Sequence, residues 1–291
     1  MNNKPLHGQV ALVAGTTRGG GRAIAMALGE AGATVYVTGR STRGHAAMAG
    51  RPETIEESAE LIGGQGGTAV PVRVDHTVEQ EVQALFDRIR AEQNGRLDIL
   101  VNSLWGGDPL TDWSKPFWEH SLADGLQMQR QAVAAHMMTS YHGAPLMVER
   151  RRGLIVEVTD GTDYRYRGNL YYSLAKVSAI HLAQAMAKDL EPYGVTALAI
   201  TPGFLRSEAM LDHFGVTEAT WQDAVAKDPH FAQSETPHYL GRAVAALAAD
   251  PHVAQKAGKT LVSGDVAAEY GFTDVDGRRP NWRVYAEKHG F

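Results

Sequence analysis

The chain has 291 residues, a formal net charge of −5 and no cysteine. Its length suffices for a large α/β domain, and a hydrophobic content of 44% is typical of globular proteins. The negative charge argues against nucleic acid as a main partner, and the missing cysteines exclude disulfides, thiolate metal sites and cysteine nucleophiles. The histidines show neither His-x-x-x-His nor His-Glu-x-x-His spacing, so no metal site is expected.

No sequence feature points to a membrane or to export. No apolar run reaches the ~18 residues that a membrane span requires. The N-terminus leads into an apolar strand without the hydrophobic core of a signal peptide. We therefore expect a cytoplasmic protein without a membrane partner.

Apolar segments with strand composition alternate with helical segments along the chain. The predicted strands are 9–14, 34–38, 68–74, 97–101, 154–158, 195–200 and 259–262. The predicted helices are 21–32, 53–63 with Pro52 in its first turn, 78–93, 126–149 with a kink at Pro145, 172–190 and 237–249. This alternation predicts an α/β fold, a Rossmann-type doubly wound parallel sheet of about seven strands flanked by helices.

No repeat or linker interrupts the chain, so residues 1–291 are predicted to form a single domain. Ligands of such sheets bind at the carboxyl ends of the strands, and the long irregular segments 103–125 and 204–236 are therefore predicted as substrate loops. A third long segment, 40–51, follows the second strand. The aromatic residues of the substrate loops either line an apolar pocket or form the loops' own small core: Trp105, Trp113, Phe117, Trp118, Phe204, Phe214 and Trp221.

A glycine-rich turn joins the first strand to the first helix, in the segment VAGTTRGGGRAIA from Val13 to Ala25. Gly15, Gly19 and Gly21 let the backbone approach a pyrophosphate closely. The helix then presents unpaired N–H groups and the positive end of its dipole to the anion. We interpret the turn as a nucleotide-phosphate site, and a purely steric turn is the alternative.

Tyr172 and Lys176 are four positions apart at the start of a predicted helix, so their side chains share a face. A nearby cation favours the phenolate and lowers the pKa of a tyrosine. Such a pair can pass a proton to or from an alcohol while a hydride moves elsewhere. Taken alone, the same spacing also occurs by chance on many helices.

Four motifs occur in the order and at about the separations typical of the short-chain dehydrogenase/reductase family. They are the glycine turn, Asn102 after LDILV, Tyr172-x-x-x-Lys176, and Pro202-Gly203 after the sixth strand. The chain resembles this family over nearly its whole length, and ATVYVTGR, FWE and GAPLMV resemble the subgroup of dehydrogenase/reductase SDR family member 1. The resemblance implies an oxidoreductase that transfers a hydride between a nicotinamide cofactor and a small-molecule carbonyl or alcohol substrate.

The resemblance also implies roles for individual residues. Tyr172 would be the general acid/base, and Lys176 would lower its pKa and hold the nicotinamide ribose. Asn102 would support the adenosine-side ribose and the end of the sheet, and Asp75 would bind the adenine. The other expected cofactor-binding residues are Gly15, Thr17, Arg18, Gly19, Gly20, Gly21, His76, Pro202, Gly203 and Ser207, which replaces the family's usual threonine.

Charge near the second strand favours NADP(H) over NAD. Enzymes for NAD usually place an acid after this strand, where it accepts from the ribose 2′-hydroxyl. Here the strand ends in TGRS with Arg40 and no acid, and Arg18 lies in the glycine turn. Two guanidinium groups suit a 2′-phosphate, and Arg43 is a third candidate. The alternative is that Arg18 and Arg40 point to water.

One position departs from the family where a serine is expected, about a dozen residues before Tyr172. Asp160 occupies it, next to Thr159. An ionised carboxylate only accepts hydrogen bonds, and its charge would raise the pKa of Tyr172. Either Asp160 is protonated and donates, or it binds an alcohol, an amine or a cationic part of the substrate. A third alternative is that Thr159 or Thr162 supplies the hydroxyl and Asp160 faces elsewhere.

A second departure lies on the long predicted helix, where the family often has an asparagine for proton relay. The position falls on Ala132, so either the relay is missing or Gln131 replaces it. This leaves a second hypothesis, an NADP(H)-binding sensor or scaffold with little turnover. The resemblance also implies a homodimer or homotetramer formed through helices 126–149 and 172–190. The aromatic loops favour a bulky, apolar substrate, and the tail after Val262 covers the pocket, joins an interface or lies on the surface.

Overall fold

The structure is a computed structural model that describes residues 4–289, so both ends of the predicted domain 1–291 lie outside it. Seven strands form one parallel sheet: β1 Val10–Ala14, β2 Thr34–Gly39, β3 Thr68–Arg73, β4 Ile99–Asn102, β5 Gly153–Val158, β6 Val195–Thr201 and β7 Thr260–Val262. Their spatial order is β3-β2-β1-β4-β5-β6-β7. The predicted doubly wound sheet of Rossmann type is confirmed.

Helices cover both faces of the sheet. They are α1 Gly19–Glu30, α2 Ile55–Gly64, α3 Glu79–Glu92, α4 Leu122–Gln129, α5 Ala135–Arg150, α6 Leu170–Leu190, α7 Glu208–Phe214, α8 Pro237–Ala249, α9 Ser263–Tyr270 and α10 Trp282–His289. Short 3-10 segments lie between them at Asp108–Leu110, Phe117–Glu119, Glu191–Tyr193, Trp221–Ala226, Pro229–Gln233 and Val253–Lys256. Within residues 4–289, no helix combines the length and the hydrophobicity that crossing a bilayer demands.

Side chains of the central strand alternate between two hydrophobic cores. Ala11 and Val13 of β1 pack with α1 and α8, whereas Val10 and Leu12 pack with α3, α5 and α6. Successive side chains of a strand point to opposite faces, and helices bury both faces here. This is why β1 is apolar and buried along its whole length.

The start of α2 differs from the prediction that placed Pro52 in the first helical turn. The helix begins at Ile55, and Thr54 is its N-cap. The Thr54 hydroxyl accepts a hydrogen bond from the Glu57 N–H at 3.2 Å, which satisfies one of the unpaired donors of the first turn. A capping side chain, rather than the fixed φ of proline, therefore sets this boundary.

The long predicted helix 126–149 begins four residues earlier than expected, at Leu122. Ser121 caps it, because its hydroxyl accepts from a backbone N–H of the first turn. Between α4 and α5 the chain forms a π-helical turn, Arg130–Ala134, which the sequence did not predict. Pro145 lies inside α5, which continues to Arg150.

The predicted irregular segment 204–236 contains α7 and has a small core of its own. Phe214, Trp221 and Phe231 are buried together in it. The Arg206 guanidinium is fully buried beside this core, 4.3 Å from the Trp221 ring centroid and 2.9 Å from the carboxylate of Glu218. For these aromatic residues, the loop-core interpretation is therefore the right one.

The cleft of the sheet lies between β1 and β4. From β1 the chain builds β2 and β3 on one side, whereas β4 to β7 lie on the other side. Connections that leave neighbouring strands in opposite directions open a crevice at the carboxyl ends. The segments that follow β1, β4, β5 and β6 meet at this crevice.

Helices α1 and α8 approach each other closely at Gly241. A Cβ at this position would lie 2.5 Å from the carbonyl oxygen of Ala23. We expect Gly241→Ala to force the helices apart and to lower the free energy of unfolding by about 1–3 kcal/mol, as overpacking does.

Urea unfolding of the two single variants Gly241→Ala and Gly63→Ala tests this expectation. Gly63 also lies in a helix, but nothing lies within 4 Å of the Cβ that the substitution would add. Gly63→Ala should therefore leave stability unchanged or raise it by about 0.5–1 kcal/mol. Equal effects at both positions would contradict the close contact.

Candidate active site

Two cavities open at the carboxyl ends of the strands. The larger has a volume of about 520 Å³, and the smaller, of about 80 Å³, lies beside the ends of β2 and β3. Gly15, Thr17, Arg18 and Trp105 line both, so the two cavities are parts of one cleft. Trp282 of the C-terminal tail also lines the larger cavity.

Close backbone contacts explain the glycines of the turn. Gly15 has a φ of +88°, and a Cβ there would lie 2.6 Å from the carbonyl oxygen of Ser103. A Cβ on Gly21 would overlap the carbonyl oxygen of Gly15. Only glycine fits both positions. With Gly19 and Gly20 they line the larger cavity, so the N-terminus of α1 faces it.

A carboxylate lies at this helix N-terminus. Glu208 accepts a hydrogen bond from the Gly19 N–H at 3.1 Å. Ser207 positions it, because Ser207 caps α7 and Glu208 is the first residue of that helix. The other oxygen, Oε2, is buried and has no hydrogen-bond partner within residues 4–289. The sequence interpretation missed Glu208, whose only clue is its place after Ser207 in a predicted substrate loop.

Arg18 and Arg40 both line the smaller cavity, together with Asp75. A guanidinium nitrogen of Arg40 is 4.0 Å from Asp75 Oδ2, and the Arg18 guanidinium is 3.2 Å from the sulfur of Met48. Arg43 is not a third member of this group. It pairs with the exposed Glu60 carboxylate outside the cavity. Two of the three arginines of the predicted cluster, Arg18 and Arg40, therefore line the same cavity.

His76 lines the smaller cavity, but both nitrogens of its ring have hydrogen-bond partners within the protein. Both ring nitrogens lie 2.8 Å from threonine hydroxyls, those of Thr38 and Thr139. Burial lowers the pKa of His76 to about 3, so the ring is neutral. The neighbouring Asp75 stays ionised, because hydrogen bonds from Thr77 and the charge of Arg40 outweigh burial and lower its pKa.

Asn102 lies outside both cavities, in a buried polar cluster. Its amide donates to Glu157 Oε1 at 2.7 Å, and Glu157 Oε2 lies 2.5 Å from His136 Nδ1. His136 Nε2 donates in turn to the Leu104 carbonyl at 3.0 Å. Asn102 thus supports the end of the sheet as expected, but it does not face the cleft. The sequence interpretation took β5 as apolar and missed Glu157 and His136.

Tyr172, Lys176, Asp160 and Thr159 all line the larger cavity, beside the predicted Pro202, Gly203 and Ser207. The Tyr172 hydroxyl donates to Asp160 Oδ2 at 2.9 Å. Thr159 donates instead to the Lys176 carbonyl at 2.7 Å, and Thr162 is exposed. The structure therefore contradicts the alternative in which a threonine hydroxyl faces Tyr172 and Asp160 turns away.

The surroundings of Asp160 are not the dry pocket of the first alternative. Its side chain is 48% exposed, and its Oδ2 lies 3.8 Å from Nε of Arg167. Of the three alternatives for Asp160, the structure favours a group that faces the cavity, where it can bind an alcohol, an amine or a cation.

Two tryptophans of the segment 103–125 stand edge-on against the Tyr172 ring. The ring centroids of Trp105 and Trp113 are 5.4 and 5.1 Å from that of Tyr172. The Lys176 ammonium lies 3.9 Å from the Trp105 ring centroid. The Trp105 indole N–H donates to Asp108, which also lines the cavity. In this segment Trp105 lines the pocket, whereas Trp113, Phe117 and Trp118 are exposed and line neither cavity.

The family model of the short chain dehydrogenases matches residues 9–214, which include the glycine turn, Asp160, Tyr172 and Lys176. The chain belongs to the short-chain dehydrogenase family. The expectation from the ordered motifs is thus confirmed, and with it an oxidoreductase fold that binds a nicotinamide cofactor.

Individual relatives agree with this assignment. The chain is 37% identical over 278 residues to dehydrogenase/reductase SDR family member 1 of Mus musculus and of Homo sapiens, covering 94% of this chain and 85% of each relative. It is 30% identical over 204 residues to a 3-oxoacyl-(acyl-carrier-protein) reductase of Aquifex aeolicus, covering 70% and 76%. A solved hydroxysteroid dehydrogenase from Escherichia coli matches with a TM-score of 0.71, 25% identity and coverage of 89% and 97%.

The electrostatics of this short-chain dehydrogenase differ from the expected effect of Lys176 on Tyr172. Burial raises the pKa of Tyr172 well above its ordinary value, and the charge and hydrogen bond of Asp160 raise it further. Burial also lowers the pKa of Lys176, which Asp160 opposes. The prediction of a lowered tyrosine pKa is therefore wrong, because Tyr172 is buried and Asp160 contacts its hydroxyl directly.

We expect Asp160→Asn to lower the pKa of Tyr172, because the variant removes the negative charge that disfavours the phenolate. The pKa is measured from the near-ultraviolet absorbance of tyrosinate during a pH titration. The same titration of Tyr172→Phe and of the double variant Asp160→Asn/Tyr172→Phe identifies the contribution of Tyr172. An unchanged pKa in Asp160→Asn would show that burial alone sets its value.

Proposed function

We propose that this short-chain dehydrogenase is an NADP(H)-dependent oxidoreductase that interconverts a carbonyl group and an alcohol on a small molecule. One observation carries the proposal. The glycine turn, which leads into the N-terminus of α1, and the Tyr172–Lys176 pair line one cleft. The two relatives described as a reductase and as a hydroxysteroid dehydrogenase support a carbonyl/alcohol pair.

The residues of the cleft fit a dinucleotide. The missing Cβ atoms of Gly15 and Gly21 allow close packing at the turn, and the Gly19 N–H is a suitable donor for a pyrophosphate. Glu208 shares this N–H, so its carboxylate has to move when an anion binds there. Arg18 and Arg40 would hold the 2′-phosphate at the smaller cavity.

The proton chemistry belongs to Tyr172. A bound nicotinamide cofactor would supply or accept the hydride. In reduction the Tyr172 hydroxyl donates its proton to the carbonyl oxygen, and in oxidation it accepts the proton of the alcohol. Lys176, on the same helical face, stabilises the phenolate that forms. Trp105 and Trp113 pack edge-on beside the ring and hold its orientation.

A second candidate is an NADP(H)-binding protein with little turnover. It is favoured by the Tyr172–Asp160 hydrogen bond, which holds the proton on the tyrosine. Ala132 in the π-helical turn also lacks the amide that would relay a proton. The intact Tyr172–Lys176 pair favours the enzyme, since a binding protein needs only the lysine.

We also infer that the chain forms a homodimer or homotetramer through the α4–α5 and α6 helices. Large apolar side chains are exposed on them: Leu126, Met137, Tyr141 and Leu174. Exposed apolar side chains on neighbouring helices are typical of surfaces that pack against a second copy.

The acid/base role predicts that Tyr172→Phe lowers kcat by about 10²–10⁴-fold, the usual contribution of a positioned proton donor. The readout is NADPH oxidation with a panel of aldehydes, ketones and quinones, with NADPH binding measured in parallel. Tyr171→Phe is the matched control, because Tyr171 is adjacent and does not line the larger cavity. Full turnover by Tyr172→Phe would refute the mechanism. An inactive wild type that still binds NADPH would favour the second candidate.

The cofactor preference predicts that Arg18→Ala and Arg40→Ala each weaken NADPH binding by about 10- to 100-fold, the value of a charge-assisted hydrogen bond. NADH, which has no 2′-phosphate, should lose much less affinity. Arg43→Ala serves as the control, since its guanidinium pairs with Glu60 outside the cavity. Both affinities are measured by titrating cofactor fluorescence. Equal losses for the two cofactors would contradict the 2′-phosphate site.

A further inference from the structure

The hydroxyl proton of Tyr172, the proposed acid/base residue, is hydrogen-bonded to a carboxylate. The Tyr172 hydroxyl donates to Asp160 Oδ2 at 2.9 Å, so it is not free to donate to a carbonyl oxygen of a substrate. Reduction requires that this hydrogen bond be exchanged for one to the substrate. Asp160 then needs another donor, which water or a group of a ligand in the cavity can supply.

The charge of Asp160 is only partly compensated by the protein. Arg167 Nε lies 3.8 Å from Asp160 Oδ2, beyond hydrogen-bond distance, and the terminal nitrogens of Arg167 donate to the carbonyls of Arg165 and Asp163. Within residues 4–289, Asp160 Oδ1 receives no hydrogen bond. Asp160 is half-exposed and lines the larger cavity, so a donor from a ligand can reach it.

The walls around Asp160 suit a cation with an apolar body. Trp105 stands against Tyr172, and Trp105, Phe204 and Trp282 line the cavity. Ammonium groups are attracted by aromatic faces as well as by carboxylates. The ammonium of Lys176 already uses the ring of Trp105 in this way. Asp108, a second carboxylate, adds negative potential at the same end of the cavity.

We propose that the site selects carbonyl or alcohol substrates that carry an ammonium group beside an apolar body, and that Asp160 binds this ammonium. The inference rests on the oxidoreductase function proposed above. The ammonium replaces the Tyr172 hydroxyl as the donor to Asp160. The released hydroxyl then turns to the carbonyl oxygen of the substrate.

The reaction that follows is balanced. The carbonyl carbon gains a hydride, for which the reduced nicotinamide is the electron donor, and its oxygen gains the Tyr172 proton. Solvent restores the proton to Tyr172, and the ammonium keeps its own protons throughout. The same residues run the reverse reaction on an amino alcohol. Matching the charge of Asp160 also removes one of the causes that disfavour the phenolate of Tyr172.

A matched pair of substrates tests the proposal on the wild-type protein. One is an aryl ketone with a dimethylammonium group on its side chain, and the other carries an isopropyl group of similar shape in its place. We expect kcat/KM with NADPH to be about 10- to 100-fold higher for the cationic ketone, the effect of one charge-assisted hydrogen bond. Asp160→Ser should abolish this preference and raise the rate with the neutral ketone.

Asp163→Asn is the control variant, because it removes a carboxylate from the same loop that pairs with Arg165 and does not line the cavity. It should keep the preference for the cationic ketone. A second readout needs no turnover. The amino alcohol that corresponds to the cationic ketone should bind by calorimetry and lower the pKa of Tyr172 in the tyrosinate titration, and it should do neither in Asp160→Ser.

The outcomes separate this inference from the function on which it rests. A wild type that reduces the neutral ketone as well as the cationic one overturns the inference and leaves the oxidoreductase function intact. A preference that survives in Asp160→Ser also overturns it. If neither the wild type nor Asp160→Ser reduces either ketone, the oxidoreductase proposal fails for aryl ketones. In that case, Asp160-dependent binding of the amino alcohol still supports ammonium recognition, and its absence overturns it.

Discussion

The contact of the glycine turn with the end of β4 determines the geometry of the cleft. The backbone of Gly15 runs against that of Ser103, and α1 then passes directly over the Gly15 carbonyl at Gly21. A side chain at either glycine would displace α1 from the sheet and fill the crevice between β1 and β4. On its other side α1 meets α8 at Gly241, where the backbone of Ala23 lies against a residue that has no side chain. Main-chain contacts therefore fix the N-terminus of α1, which faces the cavity whichever side chains line the rest of it.

A second support lies beneath the site, in the cluster of Asn102, Glu157 and His136. A fully buried carboxylate is costly unless it is paired and hydrogen-bonded, and both oxygens of Glu157 have partners. The Leu104 carbonyl can only accept, so His136 Nε2 is the donor there, and His136 Nδ1 faces Glu157 Oε2. Because Leu104 precedes Trp105, the cluster links the sheet to a wall of the larger cavity.

The sequence predicted the fold well, because hydrophobic periodicity is a local property. Strand β1 and helix α8 are recognisable from their own residues. The π-helical turn Arg130–Ala134 has the composition of an ordinary helix and carries no such local mark. Glu157 was missed for a related reason, since its partner His136 lies on a different element and their pairing exists only in the folded chain. Glu208 likewise reaches Gly19 only through the course of the loop after β6.

The sequence predicted which motifs meet at the candidate site, but it did not predict which groups set the pKa of Tyr172. The motifs that follow the carboxyl ends of β1, β5 and β6 must meet at one edge of a parallel sheet, which brings Tyr172 and Lys176 to the glycine turn. Strand alternation ends at Val158, so it could not decide which of Thr159 and Asp160 presents its polar atoms to the tyrosine. Reasoning from the Tyr172–Lys176 pair alone also omitted burial, which is the main cause of the raised pKa of Tyr172.

Burial and Asp160 both hold the proton on Tyr172, and a ligand can relieve the second of these effects. Asp160 accepts the hydrogen bond of the Tyr172 hydroxyl at 2.9 Å, and its charge and this hydrogen bond add to burial in raising the pKa of Tyr172. A hydrogen bond to a charged group is stronger than one between neutral groups, so the hydroxyl stays with the carboxylate until another donor replaces it. A serine at this position would carry no charge and would make the tyrosine available to any carbonyl of suitable shape. With an aspartate, the availability of the proton depends on the charge that a ligand brings, so this single replacement links substrate recognition to acid/base chemistry.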